Sequence, residues 1–582
     1  MSDVQLQRAG ELVRAGQLAQ AEPILRRLAC KPGAGAGVLI ALAELLRRRG
    51  HLEPARHFAG QAAARAKGVE EWHGAGRALD ALGDLDGAIS AFARALEADP
   101  AHAASLNALG LMLLRRDEVE RAIACFERGA AAGPDVPVIR ANLAWALSLG
   151  WRLEEAAGLL AGAMARWPGE VELLRLGAFL SNYADRSPAD ARAAHAALGS
   201  RIEEMAAPLR EALGPPPLPA GLAGRALRVG LLSPDLREHP VACFVEPLLG
   251  GRDASRMHVT CYACSSHADA TTSRLRGLAD GWRDVSELDD MAAARAIRGD
   301  GIDVLLDLAG HTGGARPGLV AARAVRVQGT YLGYPATSGM ASVDVRLVDS
   351  TTDPAGSEGQ CTERLVRLDP CFLAYGPKEA ARRVGPRGAP APGAPVTFGC
   401  FGTLRKLTPR WLGVWARVLA RVGGSRLRLK NSGVKDGATA SRVLAAFAAA
   451  GVDASRVEIL APTPDAEGHF RAYHEVDIAL DTHPYNGTTT TCDALWMGVP
   501  VVAMLGDRHV SRVSASLLRA AGVGELVARD EDEFVRQAVD LAGDAPRRTR
   551  YHATLRDGMR HGPLGDAPGL GRRVEAVLRG AF

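Results

Sequence analysis

Four consecutive threonines occur at a point of the chain where backbone amides can bind an anion. They are Thr488, Thr489, Thr490 and Thr491 in the segment DTHPYNGTTTTCDALWMGVPVV, residues 481–502. The β-branched run before them predicts a strand that ends at Asp481, and CDALWM after them predicts a short helix that Gly498 ends. A helix N-terminus has free N–H groups and a positive dipole end, so it binds phosphate readily. The hydroxyls could donate to such an anion, or they could only cap the helix.

Polar loops also follow other predicted strands. His239, in SPDLREHPVACF (233–244), precedes a proline that keeps its backbone extended, and it could take a proton from a hydroxyl or be a simple turn histidine. Lys406, in FGTLRKLTPRW (401–411), lies just before a helix start predicted at Thr408 and Pro409. A cation is unfavourable there unless an anion neutralises it, and a solvated lysine is the alternative.

Two more loops consist mainly of small residues. DLAGHTGGARPG (307–318) contains glycines that allow close backbone approach, and its Arg316 could serve an anion or a carboxylate. LGYPATSG (332–339) surrounds Pro335 with residues suited to backbone contact with a flat ligand. A structural turn is the alternative interpretation of both.

Two series of short β-rich runs, each alternating with helical patterns, carry these loops. The first comprises ALRVGLLS, HVTCYAC, GIDVLLDLAG, AVRVQGTYLG and VDVRLVD, and the second VTFGCF, RLRLKNS, RVEILA, VDIALD, VPVVAML and ELVA. This alternation predicts two doubly wound domains, which hold a ligand at the carboxyl ends of their strands. Proline- and glycine-rich links separate them, so we expect a helical connector over 169–225, one such domain over 226–384 and the other over 396–582.

The alanine-rich first third repeats itself with a period of 34 residues. That step separates Gly76 from Gly110, Ala88 from Ala122, Phe92 from Phe126 and Pro100 from Pro134. The period, with small residues where two helices approach and proline after the second, is typical of tetratricopeptide repeats. We therefore predict an α-solenoid of about five repeats over residues 1–168, which would present a face for peptides.

Composition and charge argue against several partners. The formal net charge is +4 on 582 residues, and no basic run is interleaved with aromatic residues, so we expect no nucleic acid. No apolar run approaches the roughly 20 residues of a membrane span, and the charged N-terminal segment is unlike a signal peptide. The nine cysteines include one close pair, Cys261 and Cys264, without the second pair of a zinc site. We expect a cytoplasmic protein without membrane contact or bound metal.

Five motifs together resemble the bacterial SPINDLY-like relatives of protein O-GlcNAc transferase. They are LRVGLLSPDLREHPVACFVEPLL, DLAGHTGGARP, QGTYLGYPATSGMASVDVRLVD, FGTLRKLTPRWLGVWARVL and the threonine segment, in the family's order and spacing. The resemblance covers roughly residues 70–545. It implies repeats followed by a GT-B glycosyltransferase, whose two Rossmann-like domains face a cleft.

The resemblance also implies roles for individual residues. His239 takes the place of the histidine proposed as general base, and Lys406 that of the lysine that neutralises the donor diphosphate. The other positions implied at the nucleotide sugar are Leu332, Gly333 and Pro335 at the sugar, Thr489 and Thr490 at the diphosphate, Asp493 at the ribose and His469 near the uracil. Thr403 and Thr488 also belong to the predicted nucleotide-sugar site, although the animal enzymes have glutamine and histidine at these two positions.

The implied reaction is inverting transfer of N-acetylglucosamine from UDP-N-acetylglucosamine to serine or threonine hydroxyls of proteins. The nucleotide sugar is a substrate, no cofactor or metal is needed, and protein or peptide acceptors would be bound by the solenoid. Two alternatives remain open at this stage. One is a GDP-fucose-dependent protein O-fucosyltransferase, and the other is a repeat adaptor whose transferase domain is degenerate.

Overall fold

The computed structural model describes residues 2–217, 221, 224–389, 393–430, 437–461, 463 and 465–581. The chain divides into two compact units. One is made of the residues up to Pro168, and the other of most of the chain from Gly169 onward.

The first unit is a run of five antiparallel helix pairs, which confirms the predicted solenoid of repeats. Its helices are α1 (Ser2–Arg14), α2 (Leu18–Ala29), α3 (Ala36–Arg48), α4 (Leu52–Arg65), α5 (Val69–Ala81), α6 (Leu85–Ala98), α7 (Ala103–Arg115), α8 (Val119–Ala132), α9 (Pro137–Leu149) and α10 (Leu153–Arg166). Pro100, Pro134 and Pro168 each follow the second helix of a pair by two residues, as expected for a residue that cannot continue a helix.

Close packing within the third and fourth pairs explains the 34-residue spacing of their glycines and phenylalanines. A Cβ atom added to Gly110 in α7 would lie 2.6 Å from the ring of Phe126 in α8, and one on Gly76 in α5 would lie 2.6 Å from the ring of Phe92 in α6. Both phenylalanines are completely buried. The glycine and the aromatic residue therefore repeat together, because each ring occupies the space that a side chain on the glycine would need.

Two helices and a seven-stranded sheet open the second unit. The helices are α11 (Val171–Ser181) and α12 (Pro188–Leu213), and the strands are β1 (Leu227–Ser233), β2 (Met257–Ala263), β3 (Gly281–Asp284), β4 (Val304–Asp307), β5 (Val327–Thr330), β6 (Val345–Val348) and β7 (Arg364–Arg367). All strands are parallel, in the order β3-β2-β1-β4-β5-β6-β7. The connecting helices are α13 (Ala242–Gly251), α14 (Ala270–Leu278), α15 (Asp290–Gly299), α16 (Pro317–Ala321) and α17 (Glu379–Arg383).

A second parallel sheet follows, of six strands in the order β10-β9-β8-β11-β12-β13. Its strands are β8 (Thr397–Cys400), β9 (Arg426–Lys430), β10 (Val457–Leu460), β11 (Ile478–Leu480), β12 (Val501–Met504) and β13 (Val527–Ala528). The helices of this part are α18 (Pro409–Arg421), α19 (Ala438–Ala449), α20 (Ala466–Arg471), α21 (Thr489–Trp496), α22 (Val513–Ala520), α23 (Glu531–Gly543), α24 (Ala545–His561) and α25 (Ala567–Arg579).

The structure confirms every strand predicted from the sequence and adds two. The additional strands, β3 and β7, are the two edges of the first sheet. The last helix, α25, returns to pack on α13, where a Cβ atom on Gly251 would lie 2.3 Å from the backbone of Ala567. The division of the sheets into domains at 226–384 and 396–582 stays a proposal. No helix in the described part of the chain is both long and apolar enough to cross a membrane.

Because Gly110 packs against the Phe126 ring, an added methyl group at Gly110 should lower the local free energy of unfolding by a measurable amount. We expect Gly110→Ala to lower the local stability of α7 and α8 by about 1–3 kcal/mol, because the buried ring must move. Amide hydrogen exchange in these two helices measures this change. Gly158→Ala is the matched control, since Gly158 lies within α10 and has nothing within 4 Å of an added Cβ; it should raise stability slightly. Equal exchange in both variants would contradict the packing argument.

Candidate functional site

The threonine run lies where β11 passes into α21, as the sequence predicts. Asp481 follows β11 directly, and its carboxylate accepts a hydrogen bond from the Gly487 amide at 2.8 Å. A Cβ atom on Gly487 would lie 2.6 Å from the Thr490 hydroxyl and 2.5 Å from that of Thr491. A side chain at this position would therefore require the two hydroxyls to move. The Thr491 hydroxyl is buried and contacts that of Ser514 at 3.0 Å.

The first three threonine hydroxyls have no protein partner among the described residues. Thr488 occupies the N-cap position of α21, yet its side chain makes no capping hydrogen bond. Thr489 and Thr490 form the first turn, and all three side chains are partly exposed. The interpretation that these hydroxyls only cap the helix is therefore wrong for Thr488. Three threonine side chains without a partner among the described residues thus lie at a helix N-terminus, whose first amides have no partner within the helix.

Lys406 lies in a 3₁₀ turn at Leu404–Lys406 that follows β8 and precedes α18. Its Nζ donates to the Asn486 carbonyl oxygen at 2.8 Å and lies 3.9 Å from the ring centre of Tyr485. Thr403 is the N-cap residue of this turn, and its carbonyl oxygen accepts from the Lys406 amide. Thr408 caps α18 through a hydrogen bond from the Trp411 amide, as predicted. Lys406 thus contacts the loop that leads into the threonine run.

Burial sets the ionisation of Lys406 and of its neighbour Asp481. Loss of water lowers the pKa of Lys406 to about 8, although the charge of Asp481 opposes this shift. Burial likewise raises the pKa of Asp481 to about 6. No carboxylate forms an ion pair with Lys406 in the described chain. A cavity of about 30 Å³, lined in part by Cys400, Asp481 and Thr490, lies beside these groups.

Asp493 lies in the second turn of α21, where the Tyr375 hydroxyl donates to its carboxylate. It is 4% exposed, and burial raises its pKa to about 6, while Tyr375 and Lys378 act in the opposite direction. Tyr375 belongs to the segment between β7 and α17. This hydrogen bond therefore joins the helix of the second sheet to the chain that leaves the first one.

His469, on α20, is held as a neutral ring. The Lys430 ammonium at the end of β9 donates to its Nδ1 at 2.7 Å, so the ring carries its own proton on Nε2. Burial, followed by the charges of Lys430 and Lys378, lowers the pKa of His469 to about 4. Its ring packs near those of Phe401 and Tyr473, with centroids at 6.2 and 5.7 Å.

Lys378 affects the ionisation of three predicted site residues, and the sequence analysis did not identify it. Its charge acts on the pKa of His239, His469 and Asp493. It also forms an ion pair with Glu238 at 2.7 Å. Lys378 is the N-cap residue of α17, in a loop without periodicity, so only its proline–lysine sequence before a helix start could have drawn attention to it.

His239 lies between β1 and α13 and is paired with a second missed residue, Asp235. Its Nδ1 accepts from the Val241 amide at 3.3 Å and lies 3.7 Å from the Asp235 carboxylate. Burial lowers the pKa of His239, and Asp235 partly offsets this effect. Burial raises the pKa of Asp235. The i, i+4 spacing of an aspartate and a histidine was the available sequence signal.

The loop 332–335 is strained and closely packed. Leu332 has a positive φ of 65°, an uncommon conformation for a residue with a side chain. A Cβ atom on Gly333 would lie 1.7 Å from the Leu308 carbonyl oxygen, so only glycine fits. Pro335 lines a second cavity. No described contact joins Leu332, Gly333 or Pro335 to Lys406 or the threonines.

The helical connector (169–225), through residues at the end of α11 and on α12, contacts both the 332–335 loop and the Lys406 region. The Asn182 side chain and His195 Nε2 contact the Tyr334 hydroxyl at 3.2 and 2.9 Å. The Tyr183 ring packs on Tyr485 at 4.6 Å between centroids. The connector therefore bridges the 332–335 loop and the Lys406 region through side chains.

Arg316 does not take part in this site. Its guanidinium donates to the Asp290 carboxylate and to the Val285 carbonyl oxygen. The anion that Arg316 binds is therefore a carboxylate of this chain and not a ligand. In the described part of the chain, no group of three or more histidine, cysteine or acidic side chains is arranged to hold a metal ion.

Two family models match the chain. One, described as glycosyl transferase family 41, matches residues 216–379 and 388–567, which together make up more than half of the chain. The other, described as a tetratricopeptide repeat, matches residues 73–137.

Curated proteins and a solved structure are also similar. A probable UDP-N-acetylglucosamine–peptide N-acetylglucosaminyltransferase SPINDLY of Arabidopsis thaliana is 40% identical over 359 residues, which cover 61% of this chain and 39% of that protein. Its Solanum lycopersicum counterpart is 39% identical over 362 residues, covering 61% and 38%. The chain thus matches about two fifths of the length of these relatives. A mutant of Thermobaculum terrenum O-GlcNAc transferase is 33% identical with a TM-score of 0.80, covering 88% of this chain and 97% of that one.

The position of Lys378 predicts linked titrations. Because its positive charge disfavours protonation of nearby histidines, Lys378→Met should raise the pKa of both His239 and His469. The Glu238 carboxylate, left without its cation, should add to the rise at His239. Histidine NMR titration measures both changes, and Lys31→Met, at an exposed position of the first unit, is the control. Unchanged titration of both histidines in Lys378→Met would contradict the placement of this cation.

Proposed function

Since this chain belongs to glycosyl transferase family 41, we propose that it is an inverting protein O-glycosyltransferase. It moves N-acetylglucosamine from UDP-N-acetylglucosamine to serine or threonine hydroxyls of proteins. The named activities of the similar SPINDLY proteins and of the Thermobaculum enzyme support this donor and this acceptor class. One observation carries the proposal: a lysine ammonium without a carboxylate partner lies beside a helix N-terminus with three free threonine hydroxyls.

The donor diphosphate binds at the start of α21 in this proposal. Thr488, Thr489 and Thr490 donate hydroxyl hydrogens to its oxygens, together with the amides of the first turn. Lys406 supplies the positive charge. A diphosphate would also favour the charged form of Lys406, because an anion near a buried ammonium raises its pKa above the value of about 8 in the free protein.

An ionised carboxylate and a neutral histidine hold the nucleoside in this proposal. The Asp493 carboxylate accepts from ribose hydroxyls, and Tyr375 keeps this carboxylate in place. His469 is neutral and carries its proton on Nε2, so it packs against or donates to a uracil without adding charge. We assign Leu332, Gly333 and Pro335 to the sugar, because Gly333 packs against the backbone at the carboxyl end of β4, where parallel sheets bind ligands. Thr403 is assigned to the donor as the residue that begins the Lys406 turn.

Proton removal from the acceptor is assigned to His239. In the arrangement described, the Val241 amide occupies Nδ1, so the neutral ring carries its proton on Nε2. A base at Nε2 requires the other tautomer, with the proton on Nδ1. Asp235, 3.7 Å from Nδ1, would stabilise that tautomer and the imidazolium formed after proton transfer, as the carboxylate does in other His–Asp pairs.

The acceptor hydroxyl then attacks the anomeric carbon on the face opposite the diphosphate, which inverts the configuration. Negative charge grows on the departing diphosphate, and Lys406 with the helix N-terminus stabilises it more than in the ground state. Because these groups supply the positive charge, the reaction as proposed needs no metal ion. Protein acceptors are assigned to the solenoid of the first unit, and the cytoplasmic location remains a prediction.

Replacement of Lys406 tests this proposal. Lys406→Ala should lower kcat by about 10²–10³, or about 3–4 kcal/mol, because the lost charge acts mainly in the transition state. Lys406→Arg should restore little, since a planar guanidinium does not reproduce a compact ammonium. Turnover with a peptide acceptor measures both variants, with Lys67→Ala, an exposed position of the first unit, as control and the thermal midpoint as a check of folding. Near-normal turnover in a folded Lys406→Ala protein would refute the assignment.

A further inference from the structure

The helical connector contributes three buried polar side chains to the region of the proposed site. Asn182 follows α11 directly, Tyr183 is the next residue, and His195 lies on α12. Their exposed fractions are 2%, 8% and 0%. A polar group in a protein interior is costly unless a partner satisfies it. The partners of these three side chains therefore indicate why the connector carries them.

His195 accepts a hydrogen bond from a tyrosine of the 332–335 loop, called the sugar loop below. Its Nδ1 lies 2.7 Å from the Ala191 carbonyl oxygen, which can only accept, so Nδ1 carries the proton and Nε2 is an acceptor. Burial lowers the pKa of His195 to about 4, so the ring is neutral at physiological pH. The Tyr334 hydroxyl therefore donates to Nε2 at 2.9 Å and accepts from the Asn182 amide at 3.2 Å. Both connector side chains thus hold the same oxygen atom.

Tyr334 lies between Gly333 and Pro335, two of the residues assigned to the sugar. Its backbone is held as well, because its carbonyl oxygen accepts from the Arg346 guanidinium at 3.2 Å. A Cβ atom on Gly310 would lie 2.5 Å from the Cβ atom of Tyr334, so the base of the side chain is closely packed. The connector holds the other end of this side chain. A shift of the sugar loop would therefore break the hydrogen bonds of the hydroxyl.

Tyr183 contacts the other side of the site, where Lys406 lies. Its ring packs on the Tyr485 ring with 4.6 Å between centroids. The Tyr485 ring centre is in turn 3.9 Å from the Lys406 ammonium, a favourable arrangement of a cation and an aromatic ring. The Arg405 guanidinium lies 4.6 Å from the Tyr183 ring centre. Tyr183 therefore supports the ring against which the Lys406 ammonium packs.

We propose that the connector is part of the transfer site and that its three side chains are positioning residues. His195 and Asn182 hold the sugar loop through the Tyr334 hydroxyl. Tyr183 holds Lys406 through the aromatic ring between them. Because Asn182 and Tyr183 are neighbours in the chain, they also fix the sugar loop relative to Lys406. Each acts through another residue and does not itself contact the donor. This inference rests on the proposed function, which assigns the sugar loop and Lys406 to the donor.

Removal of the Tyr334 hydroxyl tests the contact with the sugar loop. UDP lacks the sugar, so the dissociation constant of UDP-N-acetylglucosamine divided by that of UDP reports the sugar contacts, and calorimetry on the full-length protein measures both. We expect Tyr334→Phe to raise this ratio about tenfold, because His195 Nε2 and the Asn182 amide lose their partner and no longer hold the loop. His195→Leu should raise the ratio as well, and the double variant should raise it no further, since both changes remove the same hydrogen bond.

Tyr183 is tested on turnover, because Lys406 is proposed to act mainly in the transition state. Tyr183→Leu removes the supporting ring and should lower kcat about tenfold, with the ratio of dissociation constants unchanged. Turnover is expressed per UDP-binding site, so that unfolded protein does not contribute. Tyr183→Phe keeps the ring and should restore most of the activity.

Tyr551→Phe is the matched control, since it removes the hydroxyl of a buried tyrosine on α24 that donates to Glu525 at 2.6 Å. It should leave the ratio and kcat unchanged. The inference alone is overturned if the unaltered protein transfers the sugar and Tyr334→Phe keeps the same ratio, if the effects multiply in the double variant, or if Tyr183→Phe is as slow as Tyr183→Leu. An unaltered protein that neither binds UDP nor transfers the sugar would overturn the proposed function, and this inference with it.

Discussion

The turn from β11 into α21 fixes the relative positions of the groups in the candidate site of the second sheet. A side chain on Gly487 would displace the Thr490 and Thr491 hydroxyls, and the Gly487 amide donates to the Asp481 carboxylate. This fixes where α21 begins and leaves the Thr488 side chain without a capping bond. Lys406 reaches the same turn by donating to Asn486. A cation, a helix N-terminus and free hydroxyls are thereby gathered at one edge of a parallel sheet, where such folds bind their ligands.

Burial disfavours the charged forms of two ionisable groups at this turn. Burial lowers the pKa of Lys406 and raises that of Asp481, because each charged form loses contact with water. In the proposed function, a bound diphosphate would favour the ammonium of Lys406 and add to the charge of Asp481, which acts on Lys406 in the same direction. Lys378 adds a second cation beside His239 and Asp493.

Much of this arrangement could be predicted from the sequence, because it rests on local patterns. The period of 34 residues follows from the contacts of Gly76 with Phe92 and of Gly110 with Phe126, and buried parallel strands give uninterrupted apolar runs. Strands β3 and β7 were missed because GWRD and RLVR are short, charged edge strands with little apolar signal. Lys378 and Asp235 were missed for a different reason. Their importance depends on which groups the fold brings near them, which spacing along the chain does not reveal.

The central claim is that the site transfers N-acetylglucosamine from a uridine diphosphate donor by means of protein groups alone. The most direct measurement is the intact mass of serine- and threonine-containing peptides after incubation with the full-length protein and EDTA, with either UDP-N-acetylglucosamine or GDP-fucose. The account predicts addition of N-acetylhexosamine from the uridine donor and no addition from the guanosine donor. Transfer of fucose instead, or no transfer from either donor by a protein that remains folded, would contradict it.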